Sequence, residues 1–301
     1  MSFTSASRVK DNRLGWHVLL GFVPLYAAVF TVNLLMGVGP NLLMKWFGVS
    51  PNVRAFIGST FSYGVRIAAL CVLPPLALQK VLRINPWPMF FPFRRGLWRD
   101  LLFGFLLGTG ALSAFFLFEV KAGWLVVEGW NWQLLPFDVF LRTAWVGLLV
   151  NVSVAVGEEA IFRGYLLNGL KAAWGKWIGL ILMTVVFGLF HLPAYIEGGM
   201  QSATLALGIL LASLFGLLFG LACLRTGSLW LPVSLHFTWN FIENDVLNLT
   251  ADPNNVNLIG ALTRLQEPLS AGNVIYVEIL MFAFIVLGVW LWLKYRRDLS
   301  A

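Results

Sequence analysis

The sequence predicts an all-α, polytopic integral membrane protein with about eight transmembrane helices and an active site buried within the helix bundle. Three observations carry that expectation. First, 59% of the 301 residues are apolar and only 12% charged, against about 45–50% and about 25% in ordinary soluble domains. Second, the mean hydropathy is +0.80, and 25 Phe with 14 Trp make lipid the natural solvent for most of the surface. Third, apolar runs near the 20 or so residues that a bilayer requires recur along the whole chain. Disordered, collagen-like and secreted disulfide-scaffold classes are excluded by the same numbers.

The runs lie near Leu14 to Met36, Phe56 to Gln79, Trp98 to Val120, Phe137 to Val156, Trp177 to Tyr195, Ala203 to Leu224, Leu229 to Leu247 and Val274 to Leu293. The first follows a basic flank of Arg8, Lys10 and Arg13. It is too long for a signal-peptide core, and Pro24 without a small-residue cleavage site argues that it stays attached as a membrane helix. Pro74 and Pro75 should kink or shorten the second run, because each removes a backbone donor. The longer connections are Gly37 to Ala55, Leu82 to Leu97, Lys121 to Pro136 and Asn248 to Asn273. None could hold a soluble domain, so residues 1–301 read as one integral membrane domain.

Numbered from a cytoplasmic N-terminus, alternate connections collect fifteen of the 21 basic residues on one side. The other side receives Lys45, Arg54, Lys121 and Arg264, and Arg66 and Arg142 fall inside runs, where either snorkels to an interface or faces the bundle. This bias predicts both termini on the cytoplasmic side of the cell membrane. It also explains the net charge of +7 without nucleic acid, for which no basic patch with interleaved aromatics is present. Trp124, Trp130, Trp132, Trp174, Trp177, Trp230, Trp290 and Trp292 sit near run ends, where an amphipathic ring suits the interface. Cys71 and Cys223 lie in separate apolar runs and read as small hydrophobes. The oligomeric state is not legible.

An ionisable group within a membrane helix costs about 2.5–3.5 kcal/mol on insertion scales, which makes it a functional hypothesis by default. Such groups concentrate between residues 157 and 240. Glu158, Glu159 and Arg163 continue the fourth run. Glu159 and Arg163 are four apart and can pair on a helix, whereas Glu158 points elsewhere and is left to act. His191 follows Phe187 by four residues late in the fifth run, and His236 and Asn240 share a face of the seventh. His17, the third histidine, lies near the basic N-terminus and reads as incidental. Ser153 and Ser234 have no base placed beside them, and no His-Glu-x-x-His occurs, so neither a serine protease nor a zincin is indicated. A carboxylate with two imidazoles can hold one divalent metal with an open water position, using Glu158, His191 and His236, or can deprotonate a water directly. Asn240 or the second imidazole would donate to the developing oxyanion.

The order EExxxR, FxxxH, HxxxN, with the flanking words GEEAIFRGYLL, FGLFHLPAY and TGSLWLPVSLHFTWNF, resembles the CPBP family. These are the CAAX proteases and bacteriocin-processing enzymes, also called Abi, related to the Ras-converting CAAX endopeptidase. The likeness covers roughly residues 150–245 and looks like that of a bacterial member. It implies an intramembrane endopeptidase in which Glu158 and His191 activate water and His236 and Asn240 form the remaining wall. Glu159 and Arg163 would be a supporting pair and Phe187 a packing residue. Family accounts allow zinc or another divalent metal, or a glutamate working without metal, and this residue set fits both. The implied partners are the lipid bilayer and a peptide or lipidated protein substrate. The alternative is a non-proteolytic membrane immunity or binding protein that keeps the polar cluster. One spacing strains the picture: His191 lies about 21 Å along the fifth run at 1.5 Å per residue, while Glu158 closes the fourth. The two can meet only if the helix carrying Glu158 continues through about Leu170, beyond the bilayer edge.

Overall fold

The computed structural model describes residues 12–200, 202–249, 255, 258–266 and 271–298. Arg8 and Lys10 of the basic flank lie outside them. All eight apolar runs are helical. The chain forms α1 (Asn12–Trp46), α2 (Pro51–Leu82), α3 (Leu97–Lys121), β1 (Leu125–Trp130), the single turn α4 (Asn131–Leu134), and α5 (Phe137–Glu158). A π-helical stretch, Glu159–Leu167, then leads into α6 (Asn168–Trp174), α7 (Lys176–Phe190), the short α8 (Leu192–Glu197), α9 (Ser202–Thr226) and α10 (Trp230–Asn240). A second π-helical stretch, Phe241–Val246, precedes β2 (Ala261–Leu265) and α11 (Ala271–Asp298).

Among the described residues six helical segments are long and apolar enough to cross a membrane, and the apolar part of α11, Ile279–Tyr295, is shorter. Trp46, Phe93, Trp98, Phe137 and Leu280 are among the large apolar side chains left exposed. That surface requires lipid around it. The protein is thus a multi-pass, all-α membrane protein.

Three expectations are corrected. α2 is not shortened by its prolines: it is helical from Pro51 to Leu82 with Pro74 and Pro75 both buried inside it, as membrane helices tolerate when packing re-satisfies the freed carbonyls. The connection read as Gly37 to Ala55 shrinks to a turn, since α1 runs to Trp46 and α2 starts at Pro51. The connections Lys121 to Pro136 and Asn248 to Asn273 contain strands, β1 and β2, paired antiparallel with a bulge between Val127 and Gly129.

The chain divides into two compact units. The first comprises residues 1–31, 70–92 and 158–229. In it α7 returns antiparallel to the π-helical stretch and α6 after a turn at Gly175, whose φ of 90° is open to glycine and strained for other residues. Gly188 of α7 faces α9 so closely that a β-carbon there would overlap Ser213 Oγ and lie 2.9 Å from the Ile209 carbonyl oxygen. The second unit comprises residues 32–69, 93–157 and 230–301. Its central crossing is α3 on α10, where Gly104 and Gly108 receive Ser234 and Thr238, the close approach that a small-xxx-small spacing permits. Leu112, Phe116 and Leu125 pack with Ile242, Leu247 and Ala261, which joins the sheet to the end of that crossing.

A side chain at Gly104 would place its β-carbon 2.8 Å from Ser234 Oγ and 3.1 Å from the Leu235 backbone nitrogen. Gly104→Val is expected to destabilise the protein by about 1–3 kcal/mol through overpacking, read as a lowered thermal midpoint in detergent.

Candidate active site

The first unit builds a polar cluster around Arg163, whose side chain has no exposed surface. A guanidinium out of water must be answered by charge and hydrogen bonds. Its Nη1 donates to Glu159 Oε1 at 2.8 Å, one helical turn back, and Glu159 is equally buried. Its Nη2 donates to the Gly216 carbonyl of α9 at 3.4 Å. The guanidinium lies 4.1 Å from the centre of the Phe187 ring and 5.4 Å from that of Phe219, a cation–π arrangement strengthened by desolvation. Sequence spacing anticipates the pairing with Glu159. The roles of Gly216 and Phe219 rest on α9 crossing at this level, which spacing does not reveal.

Phe187 also meets His191, with ring centres 4.8 Å apart in an edge contact. His191 Nδ1 lies 2.9 Å from the Phe187 carbonyl oxygen. With the proton on Nδ1 it donates to that carbonyl, and Nε2 keeps its lone pair. Nε2 is 3.9 Å from Glu158 Oε2, and both side chains are partly open, 24% and 21% exposed. The two neighbouring glutamates therefore have different fates: Glu159 is sealed against arginine, and Glu158 faces an accessible imidazole.

The span-level difficulty resolves by helix length. The helical path that starts at Phe137 continues without a break through Trp174, so Glu158 lies within it. From Glu158 down to Trp174 is about 24 Å, and from Lys176 back up to His191 about 22 Å, at 1.5 Å per residue. The return helix thus brings His191 level with the carboxylate. The π-helical register begins at Glu159, and π segments are frequent at functional positions in membrane and soluble helices alike. Asn168 Nδ2 donates to the Arg163 and Gly164 carbonyls at 3.0 and 3.1 Å, which supplies partners inside the widened turns. Gly164 admits the buried Phe90 ring, which a β-carbon would overlap. Neither contact is visible in residue spacing.

His236 and Asn240 belong to the second unit, one turn apart on α10; His236 is buried and Asn240 half-buried. The α3-facing side of this helix is taken by Ser234, which donates to the Leu101 carbonyl at 2.6 Å, and by Thr238, which donates to the Ser234 carbonyl. Past Asn240 a second polar centre appears that residue patterning missed. Asn151 of α5 donates from Nδ2 to Asp245 Oδ2 at 2.8 Å, and Asn255 donates to Asp245 Oδ1 at 3.2 Å. The signal available was a lone asparagine in an apolar run and an acid at the end of another. Ser153 donates to the Val150 carbonyl. Arg142 pairs with Asp138 at the start of α5, and Arg66 is half-buried.

Two of the three donors expected for a metal, Glu158 and His191, are adjacent. Among the described residues no group of three or more His, Cys, Asp or Glu side chains is placed to hold an ion, whereas a catalytic zinc takes three protein ligands.

The fold and this polar cluster define a multi-pass membrane protein in which a carboxylate lies beside an imidazole. Residues 140–242 match the family model described as Type II CAAX prenyl endopeptidase Rce1-like. That segment contains Glu158, Glu159, Arg163, Phe187, His191, His236 and Asn240, and over it the chain is similar to the CPBP/CAAX proteases. No curated protein and no solved structure matches.

Arg163→Met strands the buried Glu159 carboxylate and is expected to cost about 3–5 kcal/mol. Combining it with Glu159→Gln should recover part of that loss. Thermal unfolding of both variants in detergent checks the pair.

Proposed function

We propose that the protein is a CAAX-type intramembrane endopeptidase that hydrolyses a peptide bond of a membrane-associated substrate with water activated by Glu158 and His191. The observation that carries the reading is the Glu158–His191 pair, 3.9 Å apart and partly open, inside a segment that matches CAAX endopeptidases. Across such a gap a bridging water is the natural occupant, since one water about 2.8 Å from each atom forms a reasonable triangle with them.

The His191 tautomer set by Phe187 matters here. With Nδ1–H donated to the carbonyl, Nε2 accepts one proton of the water, and Glu158 accepts the other. Glu158 removes its proton as the water oxygen attacks the scissile carbonyl carbon, giving a tetrahedral oxyanion. In this reading the Asn240 amide and His236 donate to that oxyanion, the contribution that preorganised donors make large in a dry site. The carbon–nitrogen bond then breaks as Glu158 returns its proton to the leaving amine. Glu159 and Arg163 touch no reacting atom in this scheme; they hold the helix turn and the Phe187 ring that position Glu158 and His191. A divalent ion, if the active enzyme takes one, would polarise the carbonyl and acidify the water, and no step above depends on it.

The substrate class that suits a polytopic protein of this family is a lipidated or bacteriocin-like peptide in or at the cytoplasmic membrane. The test is cleavage of a prenylated C-terminal peptide and a small panel of membrane peptides by the purified full-length protein. Glu158→Gln is expected to lower the rate by about 10²–10⁴, the range of general-base catalysis, with the thermal midpoint retained. A mutant as active as wild type would remove Glu158 from the mechanism. A zinc chelator added to wild type separates the two routes: activity kept supports water activation by the glutamate alone, and activity lost adds a metal to the scheme.

A further inference from the structure

The first unit contains a cleft that the hydrolytic reading does not use. It has a volume of about 670 Å³, within the roughly 300–1,000 Å³ of small-molecule pockets. One wall is α1 from His17 to Ala28, the other is α2 from Leu73 to Lys80 with Arg83 just beyond its end, and Tyr165 contributes from the π-helical stretch. Tyr165 is fixed from below, its hydroxyl donating to the Val18 carbonyl at 3.1 Å.

The lining is polarised along its length. His17, Lys80 and Arg83 gather at one end, while the remainder is apolar apart from the tyrosine. No Asp or Glu lines it, and among the described residues neither Lys80 nor Arg83 pairs with a carboxylate. From His17 to Ala28 the α1 wall is about 16 Å long at 1.5 Å per residue. The distribution of basic residues puts the His17–Arg83 end at the cytoplasmic headgroup level. Arg83 also has a φ of 55° with its backbone N–H bonded to the Gln79 carbonyl at 2.8 Å. A left-handed backbone is uncommon outside glycine, and here it ends α2 at the rim of the cleft.

We infer that this cleft binds an acidic phospholipid, with the headgroup phosphate at His17, Lys80 and Arg83 and one acyl chain along the α1–α2 walls. Charge complementarity selects the headgroup, and the anionic cytoplasmic leaflet supplies it. A peptide fits less well. Its backbone amides would lie against walls with polar groups at one end only, and unpaired amides in an apolar setting are costly. The site is therefore separate from the one that handles the peptide substrate, and its test reads binding and not proteolysis.

The experiment titrates purified full-length protein with dioleoyl phosphatidylglycerol or dioleoyl phosphatidylcholine in mixed micelles and reads retained lipid by native mass spectrometry. Wild type should prefer the anionic lipid. Replacing Lys80 and Arg83 together by glutamine should weaken phosphatidylglycerol binding about 25-fold, from about fivefold for each cation at the surface. Ala28→Trp, which fills the apolar end and leaves the cations in place, should weaken it too. An unchanged thermal midpoint in phosphatidylcholine shows each variant folded; if the glutamine pair fails that control, Ala28→Trp and the phosphate arm decide. Inorganic phosphate should not displace the lipid at equal concentration. Equal retention of the two lipids by wild type, a preference that survives the glutamine pair, or displacement by phosphate alone would each overturn the assignment.

Discussion

A guanidinium sealed from solvent inside a membrane helix is costly to bury, and contacts from three elements of the first unit answer it. Glu159 supplies the charge from the same helix, α9 supplies the Gly216 carbonyl, and α7 supplies the face of Phe187. Three elements are thereby tied to one side chain. Because Phe187 both covers Arg163 and accepts the His191 ring proton from its carbonyl, the orientation of the imidazole is coupled to the ion pair one layer beneath it. Removing one partner of a buried pair costs far more than the pair's net contribution, so its value here lies in registry as much as in stability.

Adjacent helix positions point about 100° apart, so Glu158 and Glu159 meet different surroundings, one partly open and one sealed. A carboxylate used as a base must be reachable by water, while a carboxylate used to hold arginine is strongest where water is absent. In the proposed mechanism these two neighbouring residues divide those demands between them. Gly188 contributes on the opposite side: without a β-carbon it lets α9 approach α7, and Gly216 and Phe219 on that helix then reach Arg163.

The apolar runs, the four-residue spacings and the pairing partner of Arg163 were legible because helical periodicity and the cost of intramembrane charge are local properties of the chain. The need for a longer helix beyond Glu158 was legible too, from rise per residue alone. The strands β1 and β2 were not, since neither run pairs with a neighbour in sequence: Leu125 meets Leu265 and Trp130 meets Ala261. The Asn151–Asp245 bond also joins segments remote in sequence, 94 residues apart, and neither residue repeats a spacing. Pro74 and Pro75 misled for a different reason. The rule that proline breaks a helix rests on an unsatisfied carbonyl in water, whereas within a membrane protein the neighbouring helices answer it.

The hydroxyl and thiol inventory narrows the chemistry further. Ser153 and Ser234 both donate to backbone carbonyls, a local satisfaction that also explains why each is tolerated in an apolar helix. Cys223 is buried beside no imidazole contact, and Cys71 lies within α2. An activated side-chain nucleophile needs a base within hydrogen-bond reach, and none of these four groups has one among its described contacts. His191 instead faces the Glu158 carboxylate across a gap too wide for a direct hydrogen bond. A carboxylate and an imidazole lone pair are both proton acceptors, so a group that satisfies them together must bring two protons, the place that the proposed mechanism gives to water.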